Sequence, residues 1–297
     1  MAKQSPLFIK INGDTRSTVF NTDKLFADHD DDKFSPIDIY IRKNKSFLIK
    51  LGEIERAEIL DISNQDDRDI YNLFLLGFVS NVESYFRRII RRTILIDNIA
   101  LKNCLEQQLT YAAAIHHNSK LLPEALLENC SFISQDNIKK TVNSFLGIAI
   151  NTSEKASGSQ KDLSNCLDMF DQLCHLRHCI VHRAGLLGSK NAIKLGIDSH
   201  KNFFEKPIAL DVNFLQTASS VCLNCIKAFN SFAFNELINR YIKENSEISW
   251  NYTKDKKWFN QYFNLFNSEE LNTESKKVGF EIYDAKKAYN SFRDHYK

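Results

Sequence analysis

The sequence is poor in turn-forming residues. It has nine glycines and four prolines in 297 residues, about a third of the usual share. Folds built from many short strands need frequent tight turns, so this scarcity argues against a β-sandwich, barrel or propeller and favours long helices. Apolar residues make up 43% of the chain, which is enough to bury a core and excludes a wholly disordered protein.

An excess of charge of one sign is also lacking. The chain has 39 basic and 37 acidic residues, a net charge of +2, so any surface for nucleic acid must be a local patch. The seven cysteines are odd in number, and the chain is too long to need disulfide staples. Reduced thiols in the cytoplasm are the expectation.

Long apolar runs are absent too. The richest stretch, residues 70–96, is interrupted by Glu83 and four arginines, whereas a membrane helix needs about 18 or more apolar residues. Residues 1–10 lack the continuous apolar segment of an export signal. We therefore expect a cytoplasmic protein that does not associate with a membrane.

The first sixty residues differ from the rest of the chain. Residues 28–32 read DHDDD and predict an acidic loop, while residues 36–42, PIDIYIR, alternate apolar and polar with the period of a strand. This pattern predicts an irregular N-terminal cap over residues 1–60 that can include a small hairpin.

From Asp66 onward, apolar residues recur every three or four positions, which is the period of an amphipathic helix. A polar linker is expected at 151–161 and a loop around Gly188, Gly196 and Pro207. The predicted helices cover about 66–96, 99–118, a shorter segment from Ser134, 162–183 and 211–244. They predict an all-α helical bundle over 61–248, followed by a helical extension over 249–297.

One segment concentrates ionisable side chains. Residues 175–183, HLRHCIVHR, hold three histidines and two arginines at the predicted end of a helix, and Gly185 is the expected helix stop. Histidine titrates near neutral pH, and the arginine fork matches phosphate oxygens. This combination suits a phosphodiester site that needs no metal.

Arg177 and His182 stand in R-x4-H spacing, with His178 directly after the arginine. With the segments RHCIVHRAG, FISQDNIKKTVNSFLGI and LGFVSNVESYFRRIIRR, this motif resembles the HEPN domains, in particular the RiboL-PSP branch, over about 66–245. The resemblance implies a HEPN-type four-helix bundle and a metal-independent RNA endonuclease without a cofactor. It also implies a homodimer in which the motifs of two protomers face each other across a cleft.

The resemblance also implies roles for individual residues. His182 would be the general acid or base, Arg177 would stabilise the pentacoordinate phosphorane, and the RNA 2′-hydroxyl would be the nucleophile. His178 would orient its neighbours or contact phosphate, and Glu83 would hold Arg177 or His182 in place. Such a ribonuclease endangers its host, so a toxin or antiviral defence effector restrained by an antitoxin or defence partner is implied.

Several alternatives stay open at the level of the sequence. The alternative function is a non-catalytic one: a HEPN scaffold, or a partner of another protein that binds nucleotides or RNA. Arg177 and His182 lie five residues apart, about 140° around a helix, so they share one side only if the helix ends between them. Otherwise they can serve as caps for helix carbonyls.

A metal site is the second alternative. His175, His178 and His182 have the spacing i, i+3, i+7 and can share a face as zinc ligands. No carboxylate or second ligating segment accompanies them, so we expect no metal. The Cys222 and Cys225 pair lies mid-helix in an apolar stripe, which predicts buried free thiols.

Two basic or aromatic features have both a functional and a structural interpretation. Arg87, Arg88, Arg91 and Arg92 predict a positive ridge on the first long helix. The candidate RNA-binding residues are Arg87, Arg88 and Arg91 of this ridge, together with Arg183, although a positive ridge on a helix is usually only a solvated face.

The aromatic residues between 250 and 263 can stack RNA bases or pack onto the bundle, and packing is the favoured interpretation.

Overall fold

The computed structural model describes residues 6–11, 13, 17–27 and 33–297, and the secondary structure of these residues is entirely helical. A single isolated β-bridge, between Leu186 and Pro207, is the only strand-like pairing among them. The prediction of an all-α protein is therefore confirmed. The helices are α1 Pro36–Arg56, α2 Gln65–Ile94, α3 Asn98–Cys104, α4 Tyr111–His116, α5 Leu122–Leu126, α6 Gln135–Leu146, α7 Gly158–Arg183, α8 Ser189–His200, α9 Val212–Glu244, α10 Tyr252–Phe266, α11 Glu269–Lys277 and α12 Ala285–Tyr296, with a 3₁₀ turn at Lys201–Phe203.

The chain divides into two compact units, Met1–Lys33 and Phe34–Lys297. The described residues of the first unit form no helix or strand, and a turn is closed by the Leu25 amide on the Thr22 carbonyl at 3.0 Å. The acidic stretch 28–32 lies outside the described residues. The twelve α-helices of the described residues all lie in the second unit.

The strand predicted at residues 36–42 is wrong, because this segment begins α1. Ser35 caps the helix by accepting a hydrogen bond from the Asp38 amide, and Pro36 occupies the first turn, where its missing N–H costs nothing. The buried residues Ile37, Tyr40 and Ile41 follow the helical period. The alternation was a coincidence over a short window, and tertiary burial selected the helix.

The four longest helices form the centre of the second unit. Helix α1 packs on α2 and α9, α2 packs on α7 and α9, and α7 packs on α9. The core between them includes Leu75, Phe86, Phe170 and Phe229, which are fully buried. The predicted helices near 66–96, 162–183 and 211–244 are confirmed as α2, α7 and α9, and the one from Ser134 is confirmed as α6.

Three segments differ from the prediction. The helix expected over 99–118 is split into α3 and α4. Leu105 is exposed where α3 ends, and Thr110 caps α4 by accepting a hydrogen bond from the Ala113 amide. The loop expected around Gly188 and Gly196 contains α8, in which Gly196 has a non-helical backbone. The polar linker is shorter than expected because α7 begins at Gly158.

The C-terminal helices α10 to α12 pack with α9, so the packing interpretation of the tail aromatics is confirmed. Phe259 and Tyr262 are buried, and the Trp258 ring stacks on Tyr241 at 4.3 Å between centroids. All seven cysteines are free, and Cys222 and Cys225 are fully buried as predicted. Among the described residues, no helix is both long and apolar enough to cross a bilayer.

Candidate active site

The candidate site lies at the C-terminal end of α7, where the helix continues unbroken to Arg183. Ala184 and Gly185 close it in the left-handed region, with φ of 50° and 81°, and the Gly185 amide donates to the Cys179 carbonyl at 3.1 Å. The helix therefore ends at the predicted stop, and the condition under which Arg177 and His182 would share one side, a helix that ends between them, is not met. Their side chains leave the helix about 140° apart.

One face of α7 changes from buried to exposed along its length. Leu167, Phe170 and Cys174 are buried on this face, where α7 packs on α9. Its continuation beyond Cys174 is His178, which is exposed, and Val181, which is 45% exposed. In its last two turns α7 still buries Cys179 on another side, but the face that the core covers upstream is left open here.

His178 and His182 are adjacent on this open end, one helical turn apart. Their ring centroids lie 4.6 Å apart with the planes inclined by 45°, and both side chains are exposed. The pKa of His178 is lowered, first by its partial desolvation and then by the neighbouring charges of His182, His175, Arg177 and Arg183. The five groups therefore form one electropositive cluster.

Arg177 is half-buried at the side of this cluster. Its guanidinium makes no hydrogen bond or ion pair with any residue that the structure describes. A half-buried guanidinium that keeps all its donors is well suited to bind an anion.

His175 has a different environment from the other two histidines. Its Nε2 lies 3.3 Å from Oδ2 of Asp171, one turn earlier on α7. The other oxygen of Asp171 accepts a hydrogen bond from the Gln135 amide at 2.9 Å, at the start of α6. Asp171 was not singled out from the sequence, although its i, i+4 spacing to His175 was a usable signal. In the described part of the chain, no three metal-ligating side chains gather into a possible metal site.

Arg183 is turned back onto the loop that follows α7. Its Nη2 lies 2.5 Å from Oε1 of Glu205. The backbone around Leu187 pairs with Glu205 and Lys206, which holds this loop in place. A Cβ on Gly188 would lie 2.8 Å from the Arg183 side chain, so the glycine permits this close approach. Glu205 carries no sequence signal that links it to Arg183, because the two are joined only by the loop geometry.

The arginines of α2 do not form the single exposed ridge that was predicted. Arg87 donates to the carbonyls of Leu127 and Cys130, at 2.5 and 2.7 Å. Arg91 is only 8% exposed, and its Nε lies 3.8 Å from Glu124. These two side chains hold α5 and the following loop against α2.

The other two α2 arginines are also engaged. Arg88 donates to the Ser84 hydroxyl at 2.5 Å, and Arg92 donates to the Phe34 carbonyl at 2.5 Å. Because these arginines bind partners in different directions, their i, i+4 spacing does not produce one continuous positive surface on α2.

Glu83 lies near α7 but does not hold the catalytic candidates. Burial is the main cause that raises the pKa of the Cys174 thiol, and the nearby carboxylates of Asp171 and Glu83 add to it. Glu83 is thus within electrostatic reach of Cys174, one turn before Arg177. No hydrogen bond or ion pair joins Glu83 to Arg177 or His182.

No protein-family model, curated protein or solved structure matches this chain. The HEPN resemblance remains a prediction from the residues of the motif and its flanking segments.

Proposed function

We propose that this chain is a metal-independent RNA endonuclease of the HEPN type. The observation that carries the proposal is the pair of exposed imidazoles, His178 and His182, with ring centroids 4.6 Å apart. Arg177, which has no partner among the described residues, acts electrostatically on His178. Two groups that titrate near neutral pH and one fixed cation are the minimum set for phosphodiester transesterification.

The reaction follows from these groups. A neutral imidazole takes the proton of the RNA 2′-hydroxyl, whose oxygen attacks the adjacent phosphorus. A protonated imidazole gives its proton to the leaving 5′-oxygen, so the products are a 2′,3′-cyclic phosphate and a 5′-hydroxyl. Arg177 binds the non-bridging oxygens, whose charge rises in the phosphorane. The lowered pKa of His178 favours its neutral form and suits it to the role of base.

The same geometry favours a homodimer. Base and acid must reach opposite sides of the phosphorus, and each needs a hydrogen bond of about 2.8 Å. Rings with centroids 4.6 Å apart on one helix leave no space for a phosphate between them. A second copy that faces the open end of α7 supplies the opposite group, and the exposed Val181 provides an apolar contact there.

The biological role belongs to the same proposal. A cytoplasmic RNA endonuclease is harmful unless it is restrained, so we propose a toxin or antiviral defence effector with an antitoxin or defence partner. Seven free cysteines fit a reducing compartment. A non-catalytic RNA- or nucleotide-binding HEPN module is the second candidate, because the same cationic cluster can bind phosphate without cleaving RNA.

The deciding experiment compares RNA cleavage by the wild type with that of His182→Ala. We expect cleavage to fall by about 10²–10⁴-fold, with an unchanged melting temperature because His182 is exposed. His116→Ala, an exposed histidine on α4, is the matched control and should cleave normally. Cleavage should also persist in excess EDTA.

Equal cleavage by the wild type and His182→Ala would exclude the catalytic assignment. RNA binding without cleavage in either protein would favour the non-catalytic module. Loss of activity in EDTA that zinc restores would instead support a metal site at His175, His178 and His182.

A further inference from the structure

A cavity of about 710 Å³ lies between α9 and the C-terminal helices α10 to α12. No residue of α7 lines it, so it is separate from the candidate active site. Its volume is within the range of about 300–1,000 Å³ that is usual for small-molecule sites.

The floor of the cavity is aromatic. The Phe234 ring lies 6.3 Å from Phe263, 5.8 Å from Phe266 and 6.0 Å from Phe292. Phe234, Phe263 and Phe292 are only half-buried although they belong to this cluster. Ring surface is therefore available for a flat apolar or aromatic group.

The walls carry amide side chains with unused hydrogen-bonding atoms. Asn235 donates to the Ser231 carbonyl, which leaves its Oδ1 as an acceptor. Asn239 accepts from the Tyr296 hydroxyl, which leaves its amide N–H groups as donors. Asn230, by contrast, uses both ends of its amide, on Tyr85 and on Phe266. A nucleobase has hydrogen-bond donors and acceptors along its edge and an aromatic face, so the amides can bind its edge while the phenylalanine rings stack on its face.

The rim of the cavity carries one lysine, Lys227. Lys227 is exposed on α9, and its ammonium makes no hydrogen bond or ion pair with the described residues. The lining carboxylate Glu281 is already paired with Lys287. The cavity mouth therefore favours an anionic group on its ligand.

We infer that this cavity is a binding site for a nucleoside monophosphate, or a heteroaromatic anion of similar size. The base would stack on Phe234 and bond the amides of Asn235 and Asn239, and the phosphate would reach Lys227. A fatty acid fits less well, since its chain would cover these amides and leave their free atoms unsatisfied. The inference does not depend on the ribonuclease activity.

The test is calorimetric titration of the full chain with AMP, GMP, CMP and UMP, and with adenosine and palmitate as comparison probes. We expect saturable binding of at least one monophosphate. Lys227→Ala should weaken it by about tenfold, since a charge-assisted bond is lost, but should leave nucleoside binding unchanged. Asn235→Leu should weaken nucleoside and nucleotide alike.

The variants have matched controls. Lys243→Ala and Asn224→Leu alter exposed residues of the same helix outside the cavity and should bind as the wild type does. His182→Ala separates this site from the candidate active site and should also bind normally. Binding of palmitate alone, binding of no probe, or nucleotide binding that Lys227→Ala and Asn235→Leu leave unchanged would each overturn the inference.

Discussion

At the residue scale, the arginines of this chain are distinguished by their partners. Arg87 is occupied by the Leu127 and Cys130 carbonyls and Arg183 by Glu205, whereas Arg177 has no partner among the described residues. An arginine that holds a loop is a structural residue, because its donors are already used. Among the described residues, Arg177 can bind a phosphate without first breaking an internal hydrogen bond or ion pair.

For Arg177 we expect Arg177→Ala to lose RNA cleavage and Arg177→Lys to remain inactive. The planar guanidinium contacts two phosphate oxygens at once, and an ammonium cannot reproduce that geometry. Single-turnover cleavage of a labelled RNA measures both variants. Arg56→Lys, at an exposed arginine that ends α1, is the control and should cleave normally. Near-wild-type cleavage by Arg177→Lys would contradict the bidentate role.

His178 gives a prediction about pH. Partial desolvation and then the adjacent cations lower its pKa, so its neutral form persists below the ordinary histidine pKa of about 6.5. We expect its NMR titration midpoint below that value, and a higher midpoint in Arg177→Ala, which removes one of those cations.

The lowered pKa of His178 also makes the stability of the protein depend on pH. Because the folded state binds the proton less well than the unfolded chain, His178 makes stability fall as pH drops through the window from about 6.5 down to its lowered pKa. A midpoint at or above 6.5 in the wild type would contradict the lowered pKa.

At the scale of secondary structure elements, Asp97 and Arg240 together join four helices at one buried point. Oδ1 of Asp97 lies 2.8 Å from Nη2 of Arg240 on α9 and accepts the Ala100 amide of α3, while its Oδ2 accepts the Tyr262 hydroxyl of α10 at 2.9 Å. Arg240 also donates to the Leu146 carbonyl at the end of α6. Helix positions around α9 thus depend on one carboxylate that is 5% exposed.

We expect Asp97→Ala to lower the free energy of unfolding by about 3–5 kcal/mol, because it leaves the largely buried Arg240 without its counterion. Urea denaturation, with the midpoint read at unchanged m, measures the loss. Asp294→Ala removes an exposed ion pair with Arg293 and should change stability by less than about 1 kcal/mol. A similar small change in Asp97→Ala would show that the network contributes little.

At the scale of the whole molecule, the proposed dimer contact and the proposed active site coincide at the open end of α7. The same face is buried on α9 as far as Cys174 and then carries His178 and Val181 into solvent. A two-fold contact needs only one self-complementary patch. Two copies joined here would place four imidazoles and two free guanidinium groups around one cleft.

We expect the wild type to be a dimer by light scattering and Val181→Asp to be a monomer that no longer cleaves RNA. An unpaired carboxylate in the contact should weaken the dimer by more than tenfold, that is, by more than about 1.4 kcal/mol. Folding should tolerate the change because Val181 is 45% exposed. Ile49→Asp, at a residue of α1 that is 58% exposed, is the control. A monomeric wild type whose cleavage rate is linear in protein concentration would contradict the prediction.

Local patterns determined much of the fold. Few glycines and prolines and a period of three to four residues were enough to predict the all-α class and to locate α2, α6, α7 and α9, because helix formation depends on neighbours within two turns. The concentration of histidine and arginine in residues 175–183 was visible for the same reason. These features needed no knowledge of which helix lies against which.

Only the tertiary structure decided what those residues contact. Residues 36–42 became a helix because Ile37, Tyr40 and Ile41 could be buried together, although their alternation suited a strand. Arg87 and Arg177 are both arginines on predicted amphipathic helices. In the structure Arg87 donates to the carbonyls of Leu127 and Cys130, whereas Arg177 has no partner among the described residues. The partner of a long side chain is set by elements distant in sequence, and such contacts leave no local periodicity from which to predict them.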